Sequence, residues 1–144
     1  MKRLLPMLFV LAGGAAACKH PPPGRMMPGA SSPRAAVESF LKSVRAQDLQ
    51  AMSDVWGTKE GLARDKWERA ELEKRELIMM CLFNHDRYRI LSEAPGEAGH
   101  RVFHVELARA GITRTTNFYT IQGPSERWFV ENADVTPVKD LCKQ

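Results

Sequence analysis

The chain has no glycine-rich phosphate loop, no Gly-x-Ser-x-Gly elbow and no Cys-x-x-Cys pair. It therefore lacks the local signatures of phosphate-cradling, serine-hydrolase and dithiol chemistry. Four histidines are present, but their placement argues against a metal centre. His100 and His104 stand about 13 Å apart if they share a strand rising about 3.3 Å per residue, too far to hold one ion. His20 falls in a proline-rich stretch and His85 is alone. No cofactor and no metal are expected. A basic strip is missing as well: in Glu68-Arg69 and Glu73-Lys74-Arg75-Glu76 the two signs of charge alternate, the texture of a solvated helix face rather than of a phosphate-binding surface. Nucleic acid is not an expected partner.

Nor is there an apolar run long enough to span a hydrocarbon core of about 30 Å. The longest, residues 4–11, is interrupted by Pro6. It follows the positive start Met1-Lys2-Arg3 and precedes the small residues 12–17, the three regions of a cleaved secretion signal. Removing Lys2 and Arg3 from 21 basic residues leaves 19 against 17 acidic ones, so the formal charge of +4 overstates the basicity of the mature chain. Ala15-Ala16-Ala17-Cys18 resembles the lipobox of bacterial lipoproteins, with Ala15 standing where that family usually has leucine. The resemblance covers residues 1–18. It implies cleavage before Cys18, a diacylglycerol on its thiol and a membrane as partner; the alternative is an ordinary secreted protein with a chance cysteine. Each buried acyl CH₂ contributes about 0.8 kcal/mol, so two or three chains anchor stably where one does not. Lys19 is not the aspartate that retains enteric lipoproteins at the inner membrane, so the resemblance points to the cell envelope and the outer membrane, facing the periplasm. Residues 19–33 carry five prolines and read as a tether without helix or paired strand. The expected organisation is a signal over 1–17, a lipidated tether over 18–33 and one domain over 34–144.

Within that domain, Ser32-Pro33-Arg34 has the chemistry of a helix start. The spacing predicts a helix to Ala46 that buries Ala36, Val37, Phe40, Leu41 and Val44 and leaves Ser39, Lys42, Ser43 and Arg45 in water. Asp48 can cap a second short helix carrying Leu49, Met52, Val55 and Trp56, ended by Gly57-Thr58. A third helix is expected over 65–83, with Trp67, Ala70, Lys74, Leu77, Ile78, Cys81 and Leu82 as its buried stripe and Lys74 snorkelling at the rim.

After Asn84 alternation and β-branching signal strands over 88–93, 101–109, 112–122 and 127–135, joined by hairpin-length turns. Helices before an antiparallel meander make an α+β class. The pattern, from Ala35-Ala36-Val37-Glu38-Ser39-Phe40-Leu41 to Trp128-Phe129-Val130-Glu131, resembles the nuclear transport factor 2-like (SnoaL-like, cystatin-like) cone over about residues 34–135. That resemblance implies three amino-terminal helices on a curved four-stranded sheet, a pocket at the wide end used for isomerisation, dehydration or binding alone, and homodimers through the sheet.

A two-residue turn at Ala110-Gly111 would pair Phe103 with Phe118 and His104 with Asn117. Phe103, Val105, Leu107 and Phe118 then form the core face. A four-residue loop at 123–126 would set Asn132 beside Asn117 and Asp134 beside Thr115, gathering His104, Glu106, Asn117, Asn132 and Asp134 on the other face. Histidine beside carboxylates can exchange protons; a plain water-facing surface is the structural alternative. The same register sends Glu131 to the apolar face, making it the first catalytic candidate, with His104 and Glu106 behind it. Cys81 and Cys142 can form a disulfide in an oxidising compartment, or Cys81 can be a buried thiol. The leading expectation is a non-enzymatic binding or interaction module for a small hydrophobic ligand or an envelope protein. The rival is a small pocket enzyme.

Overall fold

A computed structural model describes residues 27–143. The signal, Cys18 and His20 lie outside the described residues. The fold is α+β, with a four-stranded antiparallel sheet under amino-terminal helices.

Helix α1 (Pro33–Ala46) starts where Ser32 Oγ accepts the Ala35 amide at 3.1 Å, and stops at Gln47, which adopts a left-handed conformation with φ 55°. Its buried stripe includes every apolar position expected of it. Ser43, expected in water, is also buried, because its hydroxyl donates to the Phe40 carbonyl at 2.7 Å. Asp48 caps α2 (Leu49–Ser53) by accepting the Ala51 amide at 3.0 Å. The chain then departs from expectation. Gly57–Thr58 (β1) pairs with Gly61–Leu62 (β2), and a 3₁₀ turn follows over Ala63–Asp65. Helix α3 (Arg69–Leu82) begins later than residue 65, because the Glu68 carboxylate caps it by accepting the Ala70 amide at 2.9 Å.

Helix α3 is also rotated from the expected face. Leu72, Glu76 and Met80 are buried, whereas Leu77 is 54% and Ile78 50% exposed. The cause is a tertiary hydrogen bond. Ser53 Oγ of α2 donates to Glu76 Oε1, so a carboxyl that would otherwise be costly to bury is satisfied and the Leu72, Met80 and Phe83 side faces inward.

The meander is β3 (Arg87–Pro95), β4 (Arg101–Arg109), β5 (Ile112–Gln122) and β6 (Trp128–Ala133), adjacent in chain order. Ala110 and Gly111 both have positive φ, 48° and 79°, the geometry of a tight hairpin. Phe103 accordingly opposes Phe118 and His104 opposes Asn117. Phe118 meets Phe40 and Phe83 at ring-centroid distances of 5.7 and 5.1 Å, and Phe40 meets Phe83 edge-on at 6.1 Å. All three rings are fully buried with Phe103, Leu41 and Met52, so the space between helices and sheet is filled.

Residues 27–32, assigned from sequence to the tether, lie against the sheet. Ala30 forms a bridge to Trp128, with hydrogen bonds of 2.8 and 2.9 Å. The Arg127 guanidinium holds the carbonyls of Met27, Pro28 and Gly29. Prolines forbid a ladder but not one bridge, and this one covers part of the outer edge of β6. A disulfide joins Cys81 to Cys142 across 61 residues. It ties the tail, whose Val138 and Leu141 are buried, to the end of α3.

Two substitutions separate the inner and outer faces. Phe118→Ala is expected to lower unfolding free energy by about 3–5 kcal/mol. Ile78→Ala, on exposed α3, should change it by no more than about 0.5 kcal/mol. Urea unfolding of both variants checks this, and a large loss at Ile78 would contradict the rotation of α3.

Candidate functional site

The outer face of β4 and β5 carries the polar side chains because strand residues alternate sides. His104 lies across from Asn117, and their side chains meet at 2.9 Å, Nδ1 to Oδ1. Asn117 Nδ2 donates to Asp134 Oδ2 at 3.0 Å, and the Tyr119 hydroxyl donates to the same oxygen at 3.1 Å. Asp134 accepts, so Asn117 must turn its amide hydrogens there and its oxygen to His104; His104 Nδ1 then carries the proton. Burial, and after it the hydrogen bond and charge of Asp134, raise the Tyr119 pKa and keep its phenol protonated.

Three expectations for this face change. Asn132 lies opposite Tyr119 rather than Asn117, and its side chain accepts its neighbour's amide, Ala133 N, at 2.9 Å. Asp134 contacts Asn117 rather than Thr115, also donating its backbone amide to the Asn117 carbonyl at 2.9 Å. Glu106 leaves the cluster for Arg89, at 3.3 Å. The cause is twofold: Gln122 pairs with Trp128, lengthening the loop by one residue, and the register shifts again between Tyr119 and Thr120. This bulge falls at Glu131. The longer loop already carries Glu131 from beside Phe118 to the outer face, one residue after the inward Val130, and the bulge then keeps Asn132 and Asp134 on that face as well.

There it meets His100, which sequence reasoning had set aside. His100 Nδ1–H donates to the Glu97 carbonyl at 2.8 Å, and Nε2 contacts Glu131 Oε2. Both ring nitrogens therefore bear hydrogens when the pair is charged. The Glu131 hydrogen bond is the main reason that the His100 pKa is raised above 6.5, with burial opposing it. His100, Val102, Tyr119, Glu131, Asn132 and Asp134, with the loop at Gly96 to Ala98, line a depression of about 570 Å³. Its lining includes three carboxylate residues, Glu97, Glu131 and Asp134, with a phenol and an imidazole, which suits a ligand bearing hydroxyl or amino donors. Among the described residues no three His, Cys, Asp or Glu side chains gather as metal ligands.

Two buried titratable groups escaped sequence reasoning. Glu76 lines a depression of about 640 Å³ with Gln50, Ser53, Arg64 and Arg69. Burial raises its pKa, the Ser53 hydrogen bond opposes, Glu73 adds to the rise and Arg64 lowers it. Its i, i+4 relation to both Leu72 and Met80 was the available signal. His85 is buried with Nδ1–H donating to the Phe83 carbonyl at 2.9 Å and its ring edge-on to Tyr88. Burial lowers its pKa, so its ring is neutral at neutral pH.

Replacing Glu131 by Gln should move the His100 midpoint down towards 6.5 in an NMR titration. A raised histidine pKa contributes stability below 6.5 that fades as pH rises through the folded value. The variant should thus lose more stability at about pH 6 than at about pH 9. Glu76 has the opposite sense: a raised carboxyl pKa makes the fold less stable as pH rises from 4.5 through the folded value. Glu76→Gln should flatten that decline in melting curves collected across pH. No protein-family model, curated protein or solved structure matches this chain.

Proposed function

We propose that the chain is the precursor of a cell-envelope lipoprotein, cut before Cys18 and held at a membrane by acyl chains on that residue. Its domain, of the nuclear transport factor 2-like type, is a non-enzymatic binding or interaction module that faces the periplasm from the outer membrane. The observation carrying the module reading is the filled interior. Where a cone-shaped domain would hold a substrate, Phe40, Phe83, Phe103 and Phe118 pack against one another. A group of polar side chains able to recognise a ligand stands on the outer sheet face, around His100, Glu131, Tyr119 and Asp134.

Anchoring is supported by the signal and lipobox pattern of residues 1–18. It is supported also by the Cys81–Cys142 disulfide, which suits an oxidising compartment and leaves Cys18 outside that pair. The rival, an isomerase- or dehydratase-like enzyme, draws on the His100–Glu131 pair. In that pair, however, the histidine already donates from Nδ1 to a carbonyl and meets a carboxylate at Nε2, so no ring nitrogen is left as a free base.

Intact mass of the membrane-extracted protein tests the anchor, beside a Cys18→Ala variant. A chain beginning at residue 18 with added acyl mass, absent from the variant, is the expected result. Cleavage elsewhere without lipid would make the protein freely secreted and overturn the reading.

A further inference from the structure

Of the six large apolar side chains that stand exposed among the described residues, Leu77 and Ile78 lie on α3, Trp67 just precedes it, and Met27 lies where the described chain begins. Ala70, Leu77, Ile78, Leu82 and the Cys81–Cys142 bridge, with Glu73 and Lys74 at the rim, line one shallow, mainly apolar depression on this face. Contiguous apolar surface of this kind marks a docking site. Its occupant is indicated by where the chain enters the fold. Gly29 N donates to the Asp54 carbonyl at 2.6 Å, Asp54 pairs with Arg64, and Arg64 shares a depression with Trp67 and Arg69 at the start of α3. The entry point and the start of α3 are thus linked through a few side chains.

Only residues 19–26 separate Cys18 from Met27, where the described chain begins. The nine steps from Cys18 to Met27 reach about 30 Å at full extension, and less when bent. A bilayer holding acyl chains on Cys18 is therefore no farther than that from Met27. The chemistry of the face agrees. The Arg75 guanidinium lies 3.8 Å over the Trp67 ring and also pairs with Glu71, and Lys74 flanks the apolar residues. Tryptophan beside an apolar helix face, with the charges of Glu71, Glu73, Lys74 and Arg75 confined to its rim, is an arrangement suited to a membrane–water interface. The outer sheet face, with its histidines and carboxylates, is not.

We propose that α3 rests on the bilayer to which Cys18 is attached, with Trp67, Leu77 and Ile78 among the lipid headgroups and upper acyl chains. This leaves the His100–Glu131 face available for ligands. The proposal rests on the anchored reading of Cys18, and its test is built to fail separately from that reading. Because Cys81 and Cys142 are paired, Cys18 can be coupled selectively, without reductant, to maleimide lipid in phosphatidylcholine vesicles. The chain used begins at Cys18. Coupling supplies the tether chemically, so the outcome does not depend on whether a cell lipidates the residue.

The readout is tryptophan emission with lipids brominated near the headgroup. Loss of emission on coupling is expected for the native chain, and that loss should vanish in Trp67→Phe and in the double variant Leu77→Glu with Ile78→Glu. Ile78→Ser provides a milder variant should the double one unfold, with circular dichroism reporting the fold. Unquenched native chain, or quenching that persists in every folded variant, would overturn the proposal. So would concentration-dependent self-association without vesicles that these substitutions abolish, since a second copy would then be the occupant.

Discussion

The contact of the Phe118 ring with Phe40 and Phe83 is the interaction on which the rest of the molecule depends. Phe40 belongs to α1, Phe83 closes α3 and Phe118 lies mid-strand in β5, so three stretches distant in sequence meet at one point. The tight turn at Ala110 and Gly111 sets which face Phe118 occupies, because a slip of one residue would carry it to the other side of the sheet. The same packing fills the interior.

The outer sheet face is shaped by two one-residue shifts. The longer loop before β6 turns the Glu131 carboxylate outward to His100, and the bulge beside it shifts the end of β6 so that Asp134 receives both Asn117 and Tyr119. Two small networks result, one built round an ion pair and one round a shared acceptor oxygen. Charges on this face are matched to partners rather than left in excess, which favours directional recognition over general attraction to an oppositely charged surface. The face of α3 that carries Leu77 and Ile78 differs in kind: it is mainly apolar and is rimmed by Glu73, Lys74 and the Arg75–Glu71 pair.

Much of this was legible because it is local. Ser32 and Asp48 cap the helices expected of them, since capping needs only an oxygen two or three residues before the amides it serves. The β4–β5 register followed from one turn and the alternation of its flanks. The Cys81–Cys142 bridge was one of two readings that the cysteine count allowed. What escaped depends on distant partners. The face of α3 was misread because a stripe containing Glu76 looks less apolar than one containing Leu77 and Ile78; only Ser53, 23 residues away in α2, makes the buried glutamate tolerable. Docking of residues 27–32 rests on Arg127, about a hundred residues later. Glu131 was recognised as important but sent to the wrong side, and His100 was missed, because their pairing needs a loop one residue longer than the turn residues announce.

The filled interior is the central claim, because it moves function to the outside of the cone. Crystals of the protein under xenon pressure test it most directly, since a dry apolar cavity takes up xenon whereas close-packed rings do not. No xenon among Phe40, Phe83, Phe103 and Phe118 is the expected result. An ordered xenon atom between those rings would contradict the account and restore an internal pocket as the place where this protein works.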